Sequence, residues 1–132
     1  MVQNINKNNV SSKTKKQIIG QKGEDEAVRY LKDKGFDILD RNYRQPWGEL
    51  DIIARSPDKI LVIVEVKTVQ GPMPEIAAEE QVTRAKLIKL RRTAELYANG
   101  PGAKFLTDKG WRIDLLAIVI EEEAAVKHYK NI

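Results

Sequence analysis

"GELDIIARSPDKILVIVEVK", Gly48 to Lys67, decides how this chain folds. Two apolar runs flank "SPDK", whose Pro57 and Asp58 are turn residues, so the segment reads as two strands of a hairpin or meander. Yet Glu49, Asp51, Glu65 and Lys67 stand among Leu, Ile and Val. Charged side chains rarely enter a core unpaired, because desolvating an isolated carboxylate is costly. Alternation along a strand puts Glu49, Asp51 and Ile53 on one face. It puts Leu61, Ile63, Glu65 and Lys67 on one face of the next strand. If the two strands pair in register, the charges converge at the end of an apolar sheet.

Upstream, Thr14 to Lys34 reads as an amphipathic helix stopped by Gly35, which suits a left-handed cap. At about 100° per residue, Ala27, Val28 and Leu31 fall within roughly 60° of Glu24, which places Glu24 on the apolar face and within reach of the same charges. Gly20 and Gly23 each weaken this helix by about 1 kcal/mol relative to Ala. "FDILDRNYR" is a further strand, broken by "QPWG". Downstream, "TVQGPMPEIAAEE" reads as a loop leading to a helix that starts near Ile76 to Glu79 and runs to about Ala98. Val82, Ala85, Ile88 and Tyr97 are its expected buried positions. "NGPG" ends it, "WRIDLLAIVI" is a central strand and "AAVKHYKNI" a last one. Runs such as "ILVIV" and "LLAIVI" are apolar on both faces, which implies an α/β fold with helices covering a mixed sheet.

The composition bounds the chemistry. The chain has 132 residues, 42% hydrophobic and 32% charged, enough for one domain with its own core. No apolar run approaches the roughly 20 residues of a membrane span, and the N-terminus lacks the apolar region of a secretory signal, so a cytoplasmic protein without membrane contact is expected. There is no cysteine, and His128 is the single histidine, which excludes thiolate and multi-histidine metal sites. The net charge of +4 resides in residues 1–16, where Lys7, Lys13, Lys15 and Lys16 meet no acid. The rest is balanced. These residues are read as a basic, disordered arm, either solvated or able to track phosphates, and residues 17–132 as a single domain.

Carboxylates without histidine or cysteine make a hard-oxygen site suited to Mg²⁺ or Mn²⁺. Such an ion polarises a phosphodiester and lowers the pKa of a bound water. Lys67, one alternate position beyond Glu65, would orient or deprotonate that water, or neutralise the charge growing on phosphorus.

"GELDII" followed after a short turn by "VEVK" resembles the signature of PD-(D/E)XK nucleases. "GQKGEDEAVRYLKDKGFDILDRNYR", "GELDIIA", "LVIVEVKT", "RAKLIKLRRTAELYA" and "WRIDLLAI" together resemble the YraN family of bacterial endonuclease-like proteins, from about Gly20 to Ile120. The resemblance implies a restriction-endonuclease-like three-layer sandwich, similar to Holliday junction resolvases. It implies Asp51 and Glu65 as metal ligands, Lys67 as catalytic lysine, Glu24 as an auxiliary acid and Glu49 as the acid two residues before the Asp. Leu50 stands where the wider superfamily often has proline. Val69 stands where the family pattern has arginine, which removes a candidate phosphate contact.

Each signal has a plainer reading. An acid-x-Lys pair can be a strand-end salt bridge; Glu24 can be an acid favoured by a helix dipole; Glu49 can be a solvent-facing charge. "RAKLIKLRR" can be a solvated helix face. Within it Lys86 matches the family pattern and is the expected phosphate contact, with Arg84 and Lys89 beside it. Trp47 is either a rim aromatic or a platform for an unpaired base. Arg112 and Asp114 read as a structural ion pair and His128 as a surface residue. The expected function is metal-dependent hydrolysis of DNA phosphodiesters, selective for branched or single-stranded structure, with a two-fold dimer if the resolvase analogy extends to assembly. The alternatives are a non-catalytic nucleic-acid-binding module on the same fold and a protein-interaction domain with a vestigial site.

Overall fold

Thr14 caps the first helix, α1 (Lys15–Asp33), through a reciprocal capping box: its hydroxyl accepts the Gln17 N–H at 3.1 Å and the Gln17 side chain accepts the Thr14 N–H at 2.9 Å. The computed structural model describes residues 13–70, 82–120 and 124–132. Lys15 and Lys16, expected in the arm, are therefore helical, because Thr14 satisfies the first turn. Residues 1–12 of the expected arm lie outside the described residues. At its other end α1 closes in a Schellman motif, with Phe36 N–H donating to Leu31 C=O, Gly35 N–H to Lys32 C=O, and Gly35 at φ +86°. Leu31 and Phe36, the apolar pair of that motif, are both buried.

Five strands follow, β1 (Asp37–Gln45), β2 (Gly48–Arg55), β3 (Leu61–Gln70), β4 (Trp111–Ile120) and β5 (Ala125–Tyr129), and they lie side by side in sequence order. The β1–β2, β2–β3 and β4–β5 pairs are antiparallel, while β3 and β4 are parallel, so the sheet is mixed. The parallel step needs a crossover, and the second described helix, α2 (Arg84–Asn99), lies in it. The helices cover opposite faces. Ile52, Ala54, Val62, Val64, Leu116 and Ile118 pack with Ala27, Val28 and Leu31 of α1, whereas Ile53, Leu61, Ile63 and Ile113 pack with Leu90, Ala94, Tyr97 and Ala98 of α2. That explains why the central strands read as unbroken apolar runs. The layers are α/β/α, the restriction-endonuclease-like sandwich expected.

The second helix differs from its reading. Val82 and Thr83 are not helical; Thr83 is extended and its hydroxyl accepts the Lys86 N–H, so the described helix starts at Arg84, and residues 76–81 of the expected start lie outside the described residues. Val82 and Tyr97 are buried as expected, but Ala85 is exposed and Ile88 is 49% exposed. Nine residues separate Ile88 from Tyr97, which at about 100° each puts them on opposite faces. The buried stripe is Leu90, Thr93, Ala94, Tyr97 and Ala98. Thr68 to Gln70, read as loop, instead extend β3 along β4.

Two glycines let the layers close. A Cβ on Gly23 would collide with the Thr68 side chain of β3, and one on Gly48 with the Thr93 side chain of α2. Gly23, which weakens the helix locally, is what allows α1 to lie against the sheet.

Candidate functional site

The β2–β3 hairpin does not pair to its end. Its ladder runs from Arg55↔Leu61 to Ile52↔Val64 and stops, while β3 continues beside β4 as far as Gln70. Past Val64, β3 has lost its neighbour on one side. The Asp51 carboxylate takes the missing strand's place, accepting the Val66 N–H at 2.9 Å.

The reason is a reversal in β1 and β2 together. Arg41 pairs with Ile52 and Tyr43 with Leu50, but the intervening Asn42 and Asp51 drop out of the ladder, and Asn42 has φ +53°. Asparagine is among the few non-glycine residues that enter this left-handed region readily. Ile52 packs toward α1 and Ile53 toward α2, yet Leu50 and Tyr43 also join the α2 side, so the alternation flips at Asn42 and Asp51. Regular alternation had put Glu49, Asp51 and Ile53 on one face. The flip corrects that, and turns Asp51 into the fork between β2 and β3.

Glu65 stands at the same fork. It is 8% exposed, on the face of β3 that carries Leu61 and Ile63. Burial, then a hydrogen bond to the Asp51 carboxylate and that group's charge, push its pKa up to about 9; Glu49 adds to the rise and Lys86 opposes it. At neutral pH Glu65 therefore holds a proton beside the Asp51 carboxylate. In hard-oxygen chemistry a divalent cation replaces such a proton, and Mg²⁺ uses one or two carboxylates with waters and phosphate oxygens completing its shell. Asp51 and Glu65 fit that demand.

The other expected acids are held elsewhere. Glu24 Oε1 accepts from Arg41 Nε at 3.3 Å, Arg41 Nη2 at 3.2 Å and Asn42 Nδ2 at 3.0 Å, and Arg41 also bonds Asp25 at 2.8 Å. Glu49 is exposed and paired with Arg44 at 2.6 Å. No group of three or more acidic or histidine side chains that could hold a metal forms among the described residues. The expected convergence of four carboxylates is thus a pair, Asp51 with Glu65, flanked by two acids in ion pairs. Lys67 is half-buried and engaged with its surroundings, and it lines neither of the clefts described next.

Two clefts meet at Asp51 and Val66, which line both. The cleft on the α2 side, about 540 Å³, is lined by Glu49, Glu65, Lys86, Lys89 and Thr93 among others. The cleft on the α1 side, about 1160 Å³, contains Glu24, Arg41, Asn42 and Arg44. Lys86 and Lys89 are thus at the site, whereas Arg84 is exposed on the first turn of α2 and lines neither cleft. Trp47 is 50% exposed at the β1–β2 turn, between Pro46 and Gly48, both of which line the α2-side cleft.

Away from the clefts, Asp114 is fully buried. Arg112 donates to it at 2.9 and 3.2 Å, the Asn131 N–H at 2.9 Å, and His128 Nε2 lies 2.7 Å from it, with His128 Nδ1 3.1 Å from the Tyr30 hydroxyl. Burial alone would raise the Asp114 pKa, but the His128 and Arg112 hydrogen bonds outweigh it and hold the carboxyl below its usual range. His128, read as a surface residue, has a largely buried side chain that links strand and helix, because β5 pairs it beside Leu116 of β4 and its ring meets Asp114 of β4 and Tyr30 of α1. The Arg112–Asp114 ion pair is as expected from the sequence; Asn42 and the His128–Tyr30 arm of this network were what sequence reasoning missed. An asparagine inside "DRNYR", a poor strand residue, was the available signal for the first.

A sequence model for "Uncharacterised protein family UPF0102" matches residues 23–118. A UPF0102 protein of Fervidobacterium nodosum is 37% identical over 95% of this chain and 87% of its own length. That of Dictyoglomus thermophilum is 39% identical, covering 82% and 87% respectively, and that of Kineococcus radiotolerans 40%, covering 89% and 94%. Among solved structures, SfsA of Pyrococcus furiosus in complex with Ca²⁺ is similar at a TM-score of 0.27 and 16% identity, over 79% of this chain and 58% of that one, too slight a likeness to bear on the site.

Proposed function

The chain belongs to the uncharacterised protein family UPF0102, which is the YraN family, and we propose that it is a metal-dependent endonuclease-like protein acting on DNA phosphodiester bonds. The observation that supports this most is the pairing of the buried Glu65 with the half-buried Asp51, the acid at which the two clefts meet and which the Val66 N–H holds in place. Mg²⁺ or Mn²⁺ held by these two side chains would supply a polarised phosphodiester and a more acidic water. The Val66 N–H fixes the Asp51 carboxylate, and burial fixes Glu65, so both donors are positioned before any ligand arrives. Lys86 and Lys89 bind the phosphates flanking the scissile one. Lys67, one alternate position along β3 from Glu65, orients or deprotonates the water in this reading; Arg84 contributes charge at longer range. Glu24 positions Arg41 and Asn42, and through Asn42 the strand reversal that presents Asp51. The exposed Trp47 favours substrates with unpaired bases, hence single-stranded or branched DNA. A two-fold dimer would present two such sites.

A second reading, a nucleic-acid-binding module that does not hydrolyse, is favoured by the ion pairs that occupy Glu24 and Glu49. A cleavage panel decides between them. Duplex, single-stranded, flap and four-way DNA are incubated with Mg²⁺ or Mn²⁺ and wild type, Glu65→Ala or Lys67→Ala. Cleavage lost in both variants supports hydrolysis; cleavage that survives both refutes it; binding without cleavage of any substrate supports the module.

A further inference from the structure

The cleft on the α1 side is the larger of the two, and of its lining only Asp51 is given a role in contact with the metal or substrate. Five cationic side chains line it: Lys13, Lys15 and Lys16 at the start of α1, and Arg41 and Arg44 on β1. They face two acids, Glu24 and Asp51. Arg41 is committed to Glu24 and Asp25, which leaves the three lysines and Arg44 as the cations available to a ligand. Arg44 bonds Glu49, but both side chains are about two-thirds exposed, 68% and 64%, and such a surface pair is worth at most about 1 kcal/mol. A phosphate can take Glu49's place at little cost.

The two clefts are continuous in the sense that matters for a polymer. Asp51 and Val66 line both, and the Arg44–Glu49 pair straddles the divide, Arg44 in one cleft and Glu49 in the other. A mononucleotide bound at Lys86 and Lys89 would leave the α1 side unused. A chain of phosphates crossing Asp51 would use both.

We infer that the α1-side cleft is a second backbone-binding track, in which a nucleic-acid strand engaged at Asp51 and Glu65 continues along Lys15, Lys16 and Arg44. This rests on the reading of Asp51 and Glu65 as the reaction centre. The ligand is a single strand of nucleic acid, recognised through its phosphates and without base specificity.

The test measures fluorescence anisotropy of labelled single-stranded DNA over a salt series. It compares wild type, a triple variant on the α1 side (Lys15→Gln, Lys16→Gln, Arg44→Gln) and a double variant on the α2 side (Lys86→Gln, Lys89→Gln). All substituted residues are exposed, and circular dichroism checks that each variant folds. With three phosphate contacts removed, the log–log salt slope of the α1-side variant falls by about two for a long strand and is unchanged for a trinucleotide. An unchanged slope for the long strand, with the α2-side variant still impaired, overturns the track and leaves the reaction centre standing. Absence of salt-dependent binding in wild type overturns both. Equal binding of polyglutamate also overturns the inference, since the cleft would then take any polyanion.

Discussion

Glu65 is a costly side chain to bury beside the half-buried Asp51, and the cost has a sign that can be measured. Folding keeps the Glu65 carboxyl protonated up to about pH 9, while an unfolded glutamate ionises near its usual 4.5. Between those values the native state holds more protons than the unfolded one, so stability of the metal-free protein falls as pH rises. Glu65→Gln, neutral throughout, flattens that dependence in denaturant titrations performed across the window. A different residue, Trp47, reports on substrate. Trp47→Ala should weaken single-strand binding by about 1–3 kcal/mol for one stacked base and leave duplex binding unchanged, read by parallel anisotropy titrations. Glu65 was legible in "VEVK" because strand alternation is local and holds along β3, whereas Asp51 was legible in "GELDII" only as a charge inside an apolar run, its facing being set by the flip at Asn42. The ion pairs of Glu24 with Arg41 and of Glu49 with Arg44 were not, since they depend on where strands and helix come to rest in space.

The strands and helices differ in how openly the chain declares them. The Gly35 stop and the "SPDK" turn were readable because each is a short-range hydrogen-bond or φ requirement. The phase of α2 was not, because Ile88 offered itself as a core residue and only the Thr83 cap and the Leu90–Tyr97 stripe fix the rotation. The reversal at Asn42 was hidden for the same reason: one left-handed residue inverts the inside–outside pattern of two strands. It predicts that Asn42→Gly keeps the left-handed backbone and loses only the hydrogen bond to Glu24, whereas Asn42→Val, which resists left-handed backbone, costs about 1–2 kcal/mol more and displaces Asp51. Thermal unfolding with metal titration separates the two effects. Packing of α1 on β3 is a second strict requirement. Gly23→Ala should cost about 1–3 kcal/mol by overpacking against Thr68, and Thr68→Ala should recover part of that loss in the double variant.

Taken together, the sheet has a working end and a locked interior. At the working end β2 parts from β3, two clefts open and cations gather. Inside, Asp114 ties together β4, β5 and α1 through Arg112, His128 and Tyr30. Because its native pKa lies below the ordinary carboxyl value, the stability it contributes is present above that value and is lost as pH falls through the native one. Asp114→Ala, which leaves Arg112 and His128 without their buried acceptor, should cost about 3–5 kcal/mol in denaturant unfolding at neutral pH.

The most direct test is a calorimetric titration of Mn²⁺ into the protein at a pH between 7 and 8, repeated in buffers of different ionisation enthalpy. If Asp51 and Glu65 hold the ion, wild type binds it and releases the proton carried by Glu65, and both Asp51→Ala and Glu65→Ala abolish the heat of binding. Mn²⁺ binding that persists in both variants, or binding by wild type without proton release, would contradict this site.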